Sequence, residues 1–87
     1  MSARTEHGKQ WGTGEYKNRE AVIYYHHIHK WFEVDYYDGG KLLETRKMVT
    51  ESEEWGTTVH SMRYAEDAAE NYCLGYMSVG DGRKADA

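Results

Sequence analysis

Three histidines lie close together in the sequence, at positions 26, 27 and 29, and imidazole is a common ligand for zinc, nickel and copper. In a β-strand, His27 and His29 would project from the same face and could share a metal ion. A metal site needs three or four ligands, and the chain has no HExxH or CxxC spacing to supply them. We therefore expect no cofactor and no metal, with His27 and His29 as weak metal candidates, and we expect His26 to be a hydrogen-bonded interior histidine.

Nucleophilic catalysis would require a cysteine or serine held beside a base. The single cysteine, Cys73, lies on the apolar stripe of a predicted helix, where burial raises the pKa of a thiol and removes its reactivity. No elbow motif surrounds Ser52, Ser61 or Ser78, and the GDGRK segment at 80–84 follows a helix instead of opening one, as a phosphate loop would. The sequence therefore predicts a protein that is not an enzyme.

Acidic residues are concentrated in one part of the chain. The protein has 11 Lys and Arg against 15 Asp and Glu, and residues 44–70 alone carry a net charge of −4. The acidic residues of this segment are Glu44, Glu51, Glu53, Glu54, Glu66, Asp67 and Glu70. A nucleic-acid binder needs a basic face, so we expect no direct nucleic-acid binding. The acidic segment is either an ordinary solvated face or a surface that covers a positively charged, nucleic-acid-binding protein.

Large aromatic side chains are a second candidate for recognition. Tyr and Trp dominate interface hot spots, and the chain offers Tyr25, Trp31, Tyr37 and Trp55. The alternative is that these rings form the core, because Leu, Ile, Val and Phe are scarce. We predict a partner-binding surface made of Tyr25, Trp31 and Tyr37 together with the seven acidic residues.

The length and composition indicate one domain in a reducing compartment. An 87-residue chain is too short for two cores, and a single cysteine excludes an internal disulfide. We expect a flexible arm over 1–18, one domain over 19–78 and a flexible tail over 79–87. No stretch approaches the roughly 20 apolar residues of a membrane span, and the N-terminus lacks a secretion signal. These features favour a cytoplasmic protein that contacts no membrane.

The segment 21–38 is rich in β-branched and aromatic residues and ends at Asp38-Gly39-Gly40, which predicts a β-hairpin with the following KLLETRKMV. Eighteen residues exceed a usual strand, so a bulge or bend near His29 and Lys30 is expected and could divide the run into two strands. Alternation predicts a core face consisting of Val22, Tyr24, His26, Ile28, Phe32, Val34 and Tyr36. The other face would carry Tyr25, His27, His29, Trp31, Glu33, Asp35 and Tyr37.

The second half predicts a charged loop over 50–56, a short strand in TTVHSM and a helix over 63–77 with Ser61 as its N-cap. The apolar stripe of this helix would consist of Ala65, Ala68, Ala69, Tyr72, Cys73 and Tyr76. The expected fold class is α+β: a small antiparallel sheet of two to four strands with one C-terminal helix packed on one face.

The acidic chain, the hairpin and the YAEDAAENYCLGYM segment together resemble the small acidic proteins by which bacteriophages inhibit host machinery, such as anti-CRISPR proteins and inhibitors of host RNA polymerase. The resemblance covers about residues 21–77. It implies a stoichiometric inhibitor that binds a host protein, and it assigns no residue a role. The alternatives are a homodimeric structural or regulatory subunit that buries its open sheet face, and a metal-binding protein built on the histidines.

Overall fold

The computed structural model describes residues 3–79, and it confirms the α+β fold with one C-terminal helix on an antiparallel sheet. The main sheet has the order β1-β2-β3-β4, formed by Arg4–Trp11, Arg19–His26, Trp31–Asp38 and Lys41–Lys47. A separate two-stranded sheet consists of β5 and β6, at Val49–Ser52 and Gly56–Val59. The helix α1 covers Met62–Cys73, and a short 3₁₀ turn covers Gly14–Tyr16.

The first strand corrects the prediction of a flexible arm over 1–18. Strand β1 is antiparallel to β2, with pairs running from Arg4 opposite His26 to Trp11 opposite Glu20. A bulge at His7 interrupts its alternation, because Glu6 and Gly8 oppose the adjacent residues Tyr24 and Ile23. A polar edge strand with a bulge has no clean period of two, which explains why its sequence resembles a loop.

The segment 21–38 forms two strands, as the expected bend allows. Strand β2 ends at His26, residues 27–30 form a turn in which Lys30 has φ of 59°, and β3 begins at Trp31. The predicted faces are correct for β3 and wrong for β2. Because His26 opposes Trp31, odd residues of β2 share a face with even residues of β3. The core face of β2 therefore carries Ala21 and Ile23, and not Val22, Tyr24, His26 and Ile28.

The turns predicted at Asp38-Gly39-Gly40 and within 50–56 are both present. Gly39 and Gly40 have φ of 62° and 81°, and they connect Asp38 to its opposite residue Lys41, as expected for a two-residue hairpin loop. The charged loop predicted over 50–56 is shorter, since β5 extends to Ser52 and only residues 53–55 form the turn into β6.

The core lies between α1 and one face of the main sheet. The buried helix residues are Ala65, Ala68, Ala69, Tyr72 and Cys73, as predicted, whereas Tyr76 is exposed. They pack against Ala21, Ile23, Val34, Tyr36, Met48 and Val49. The rings of Tyr36 and Tyr72 meet edge to face at 4.8 Å between centroids. The three alanines place the helix backbone close to the strands.

The helix ends at Cys73, four residues before the predicted end. Gly75 has φ of 83°, its N–H donates to the carbonyl of Tyr72, and the N–H of Tyr76 donates to the carbonyl of Asn71. This is the Schellman pattern, in which a left-handed glycine stops a helix. Of the predicted tail over 79–87, Val79 packs against the core and residues 80–87 lie outside the described residues.

Arg19 ties the end of the helix to the sheet and to the 3₁₀ turn. Its guanidinium donates to the carbonyls of Tyr72 at 2.9 Å and of Met77 at 3.3 Å. The same group lies over the rings of Tyr16 and Tyr72, with 4.7 and 4.6 Å to the centroids. A cation at this position also compensates the negative end of the helix dipole.

We predict that Gly75→Ala destabilises the fold more than Gly14→Ala does. Both glycines have positive φ, so an alanine costs about 1–2 kcal/mol at either position. At Gly75 a Cβ would also lie 2.2 Å from the Tyr16 ring, whereas at Gly14 nothing lies within 4 Å. Overpacking should add about 1–3 kcal/mol. Urea unfolding of the two variants measures the difference, and equal losses would contradict the packing of Tyr16 against Gly75.

Candidate protein-binding surface

The β5–β6 hairpin presents a charged and aromatic tip. The Ser52 hydroxyl accepts hydrogen bonds from the N–H groups of Glu54 and Trp55, at 3.2 and 3.4 Å. Gly56 follows with φ of 72°, which returns the chain into β6. The tip residues Glu53, Glu54 and Trp55 are exposed, and 81% of the Trp55 surface is accessible. An exposed tryptophan held beside charged residues by a defined turn is an unusual use of a large apolar side chain.

Glu51 extends this acidic character along the strand. It is exposed, and its carboxylate lies 3.3 Å from the ammonium of Lys47. A shallow, solvent-open depression beside it is lined by Glu51, Ser52, Glu53, Gly56 and Thr57. A shallow acidic depression suits a cationic side chain better than an apolar ligand.

The outer face of α1 provides a second acidic area. Glu66 and Glu70 are exposed on the side of the helix opposite the alanine stripe. Asp67 lies on this side too, 3.5 Å from Arg63 one turn earlier. Glu44 differs from the others, because it is half-buried and lies 2.8 Å from Arg46 within β4. Five of the acidic residues predicted for recognition are therefore exposed: Glu51, Glu53, Glu54, Glu66 and Glu70. Asp67 and Glu44 are half-buried and form ion pairs with Arg63 and Arg46.

The three aromatic candidates do not form one surface. Tyr25 lies on the helix side of the sheet, opposite Phe32, and its ring is 5.0 Å from that of Phe32. Trp31 lies on the other side, where it is half-buried and stacks on His29 at 4.5 Å. Tyr37 shares that side with Trp31 but lies at the opposite end of β3. Their rings mainly contact the protein itself.

The sheet face that lacks a helix is closed by a polar network. Arg4 donates to both carboxylate oxygens of Asp35, at 2.9 and 3.1 Å, and Asp35 is only 2% exposed. Thr45 donates to the same carboxylate at 2.7 Å. Arg4 also bonds Glu33 at 3.3 Å, and the Trp31 indole N–H donates to Glu33 at 2.8 Å. These contacts satisfy the charges, as a buried ion pair requires.

Tyrosines complete this face. The Arg4 guanidinium lies 4.0 Å from the ring centre of Tyr24, and its hydrogen bond with Asp35 raises the pKa of Arg4. Desolvation raises the pKa of the Tyr24 and Tyr37 hydroxyls, and the negative charge of Asp35 adds to the effect. Both hydroxyls are therefore neutral at physiological pH. This part of the face is occupied by the protein's own side chains, whereas the hairpin and the outer helix present exposed carboxylates.

The histidines at the β2–β3 turn separate to the two sides of the sheet. His27 contacts the Thr5 hydroxyl and the Tyr25 ring, whereas His29 stacks on Trp31 and contacts His26. Within residues 3–79, no group of three or more His, Cys, Asp or Glu side chains is placed to hold a metal ion. The expectation of an interior His26 is wrong, since this half-buried side chain is on the helix-free face and accepts the N–H of His29.

Two features of the surface were not included in the predicted binding residues. The sequence marks Trp55 as an aromatic candidate, but the predicted binding surface does not contain it. Thr57 and Val59 of β6 are also outside the predicted surface. The signal for Trp55 is present in the sequence as a tryptophan that follows adjacent carboxylates and precedes glycine. The exposure of β6 depends on tertiary structure and has no such signal. Within the described part of the chain, no helix has the length and apolar character to cross a bilayer.

We predict that Asp35→Asn lowers the free energy of unfolding by about 2–3 kcal/mol, because it weakens a buried, charge-assisted pair with Arg4. Glu20→Gln makes the same chemical change in a more exposed pair, 4.0 Å from Lys9, and should cost about 0–1 kcal/mol. Chemical denaturation compares the two variants. Equal and small decreases in the free energy of unfolding of the two variants would show that the network does not hold β1 on the sheet.

We also predict that Cys73 resists alkylation in the folded protein. Burial raises the pKa of its thiol to about 11. The reactive thiolate is then about a hundredfold scarcer than at an ordinary cysteine at pH 8. The reaction rate with a chromogenic disulfide should rise strongly when urea unfolds the protein. Equal rates in the folded and unfolded states would contradict the packing of α1.

Comparison with known proteins gives no assignment, since no family model, curated protein or solved structure matches the chain. A functional assignment therefore rests on the geometry and charge of the chain's own residues.

Proposed function

We propose that this chain is a non-enzymatic binding protein that inhibits or regulates a nucleic-acid-handling protein complex by covering a basic surface of that complex. The observation that carries the proposal is the tip of the β5–β6 hairpin, where exposed Glu53 and Glu54 directly precede an exposed Trp55. The partner would be a host complex if the chain acts as the phage-encoded inhibitors that it resembles do. The single cysteine is consistent with action in a reducing cytoplasm.

Electrostatic complementarity supports this class of partner. Proteins that bind nucleic acids present basic grooves to the phosphates, and an acidic protein is attracted to the same grooves. The exposed carboxylates of Glu51, Glu53, Glu54, Glu66 and Glu70 occur on the hairpin and outer helix. Such charges mainly raise the association rate and select the partner.

Trp55 supplies the apolar contact that carboxylates cannot provide. Tryptophan is enriched among residues whose truncation costs the most binding energy, and its ring also attracts the Arg and Lys side chains of a basic surface. At 81% exposure, Trp55 has most of its area available for burial against a partner. Acidic neighbours make stacking on a nucleic-acid base a less favourable use of the ring.

A homodimer through the edges of the main sheet has weaker support. Both edge strands contain a bulge, at His7 in β1 and at Leu43 in β4. Both also carry charged residues, which natural proteins use to prevent strands from pairing edge to edge. Arg4 and Asp35 close part of the helix-free face, so a dimer through this face would bury apolar area mainly at the exposed Trp11 and Leu42.

Charge reversal in matched pairs tests the proposal. Tagged protein is used to capture partners from a bacterial lysate, followed by washes at low and then high salt and mass spectrometry. The pairs are Glu53→Lys with Glu54→Lys on the hairpin, Glu66→Lys with Glu70→Lys on the helix, and Glu6→Lys with Glu15→Lys as an exposed control. We expect the unmodified chain to capture a nucleic-acid-binding complex that high salt releases. The hairpin variant or the helix variant should fail to capture this complex, whereas the control variant should still capture it.

The control pair changes the net charge by the same amount, so it separates a local surface from overall charge. Retention of the complex by all three variants would contradict acidic occlusion. Equal loss with all three would show that net charge, and not this surface, governs binding. Recovery of the chain alone would favour self-association.

A further inference from the structure

The outer edge of β6 is an uncovered strand edge. All four residues of Gly56–Val59 are exposed, and the strand pairs with β5 on one side only in the described structure. The N–H of His60 donates to the carbonyl of Met48, so alternate residues of β6, including Thr58, direct their backbone groups to β5. The N–H and C=O groups of Thr57 and Val59 therefore point away from β5. Such an edge is a template for another strand.

The two edges of the main sheet are unsuitable for a basic segment. The edge strand β1 has a bulge at His7 and carries Arg4 and Lys9. The edge strand β4 has a bulge at Leu43 and carries Lys41, Arg46 and Lys47. In contrast, β6 has the uncharged sequence GTTV, and its pairing with β5 is continuous from Gly56 to Val59.

The surroundings of β6 determine the chemistry of an added strand. Glu51 opposes Thr57, so the two side chains share one face of the hairpin and line the acidic depression. A lysine or arginine placed opposite Thr57 on an added strand would project to the same face, and its long side chain could reach Glu51 across the small threonine. Glu53 adds negative charge to the same depression. A second copy of this chain would bring two acidic hairpins together, which electrostatic repulsion disfavours.

We propose that the β6 edge binds an extended, basic segment of the partner as an added β-strand, through the backbone groups of Thr57 and Val59 and the carboxylates of Glu51 and Glu53. This inference rests on the proposed function, since it names the part of the basic partner that the hairpin recognises. Backbone hydrogen bonds supply affinity in this mode, and alternate side chains supply specificity.

The test uses a synthetic seven-residue peptide in which lysine and valine alternate, titrated into the full chain. Two further peptides carry N-methyl groups on the lysines or on the valines, so that each loses the N–H donors of one edge and keeps its charge. Added-strand binding predicts that one N-methylated peptide binds about tenfold more weakly than the parent. The amides of Thr57 and Val59 should then gain protection from hydrogen exchange, with Thr58 as the reference amide already bonded to β5.

Protein variants separate this inference from acidic occlusion. Thr57→Pro removes an N–H that points away from β5 and leaves the N–H of Thr58, which bonds to β5. This variant should therefore bind the parent peptide more weakly, as N-methylation of the peptide does. If all three peptides bind equally and charge reversal at Glu53 and Glu54 abolishes binding, strand addition is wrong and occlusion stands. If N-methylation weakens binding and charge reversal does not, strand addition through the backbone stands, whereas the contact with the Glu53 carboxylate and the electrostatic mechanism fail. If the parent peptide does not bind, strand addition is overturned.

Discussion

Within residues 3–79, a single 12-residue α-helix covers one face of the main sheet, and the structure depends on how the second face is closed. The ion pair between Arg4 and Asp35 provides this closure, with Thr45 bonded to the same carboxylate. Because Arg4 comes from β1 and Asp35 from β3, the pair spans β2 and fixes the N-terminal strand on the sheet. The cost of burying Asp35 is offset only while every partner remains in place.

This closure occupies part of the helix-free face with the protein's own side chains. Trp31, Glu33 and Tyr37 lie on the closed face, and Trp31 and Glu33 are bonded to each other. The helix-covered face is core, with Tyr25 at its margin against Phe32 and His7. The exposed carboxylates proposed to bind the partner therefore lie outside the main sheet, on the β5–β6 hairpin and the outer surface of α1. The hairpin has few buried side chains of its own and is held on the body through Val49.

The sequence predicts features that depend on local pattern. The alanine stripe, the Asp38-Gly39-Gly40 turn and the bend before Trp31 follow from spacing and turn chemistry, and the structure contains all three. Features that depend on pairing partners are not predictable in this way. Strand β1 has a bulge and a polar sequence, and the face assignment of β2 required knowing that His26 opposes Trp31. Gly75 looks like a weak point in a helix until its φ and the nearby Tyr16 ring are known. Charge alone identifies the acidic residues of the proposed binding surface from the sequence. That the aromatic residues lie apart follows only from the strand register, which the structure supplies.

We propose that the chain covers a basic, nucleic-acid-binding surface of its partner, and a competition experiment tests this occlusion. The affinity of the captured complex for its nucleic acid is measured with increasing amounts of the chain, at low and at high salt. Occlusion predicts that nucleic-acid binding falls as the chain is added, saturates at a fixed stoichiometry and recovers at high salt. A ternary complex in which the partner binds nucleic acid with unchanged affinity would contradict the account.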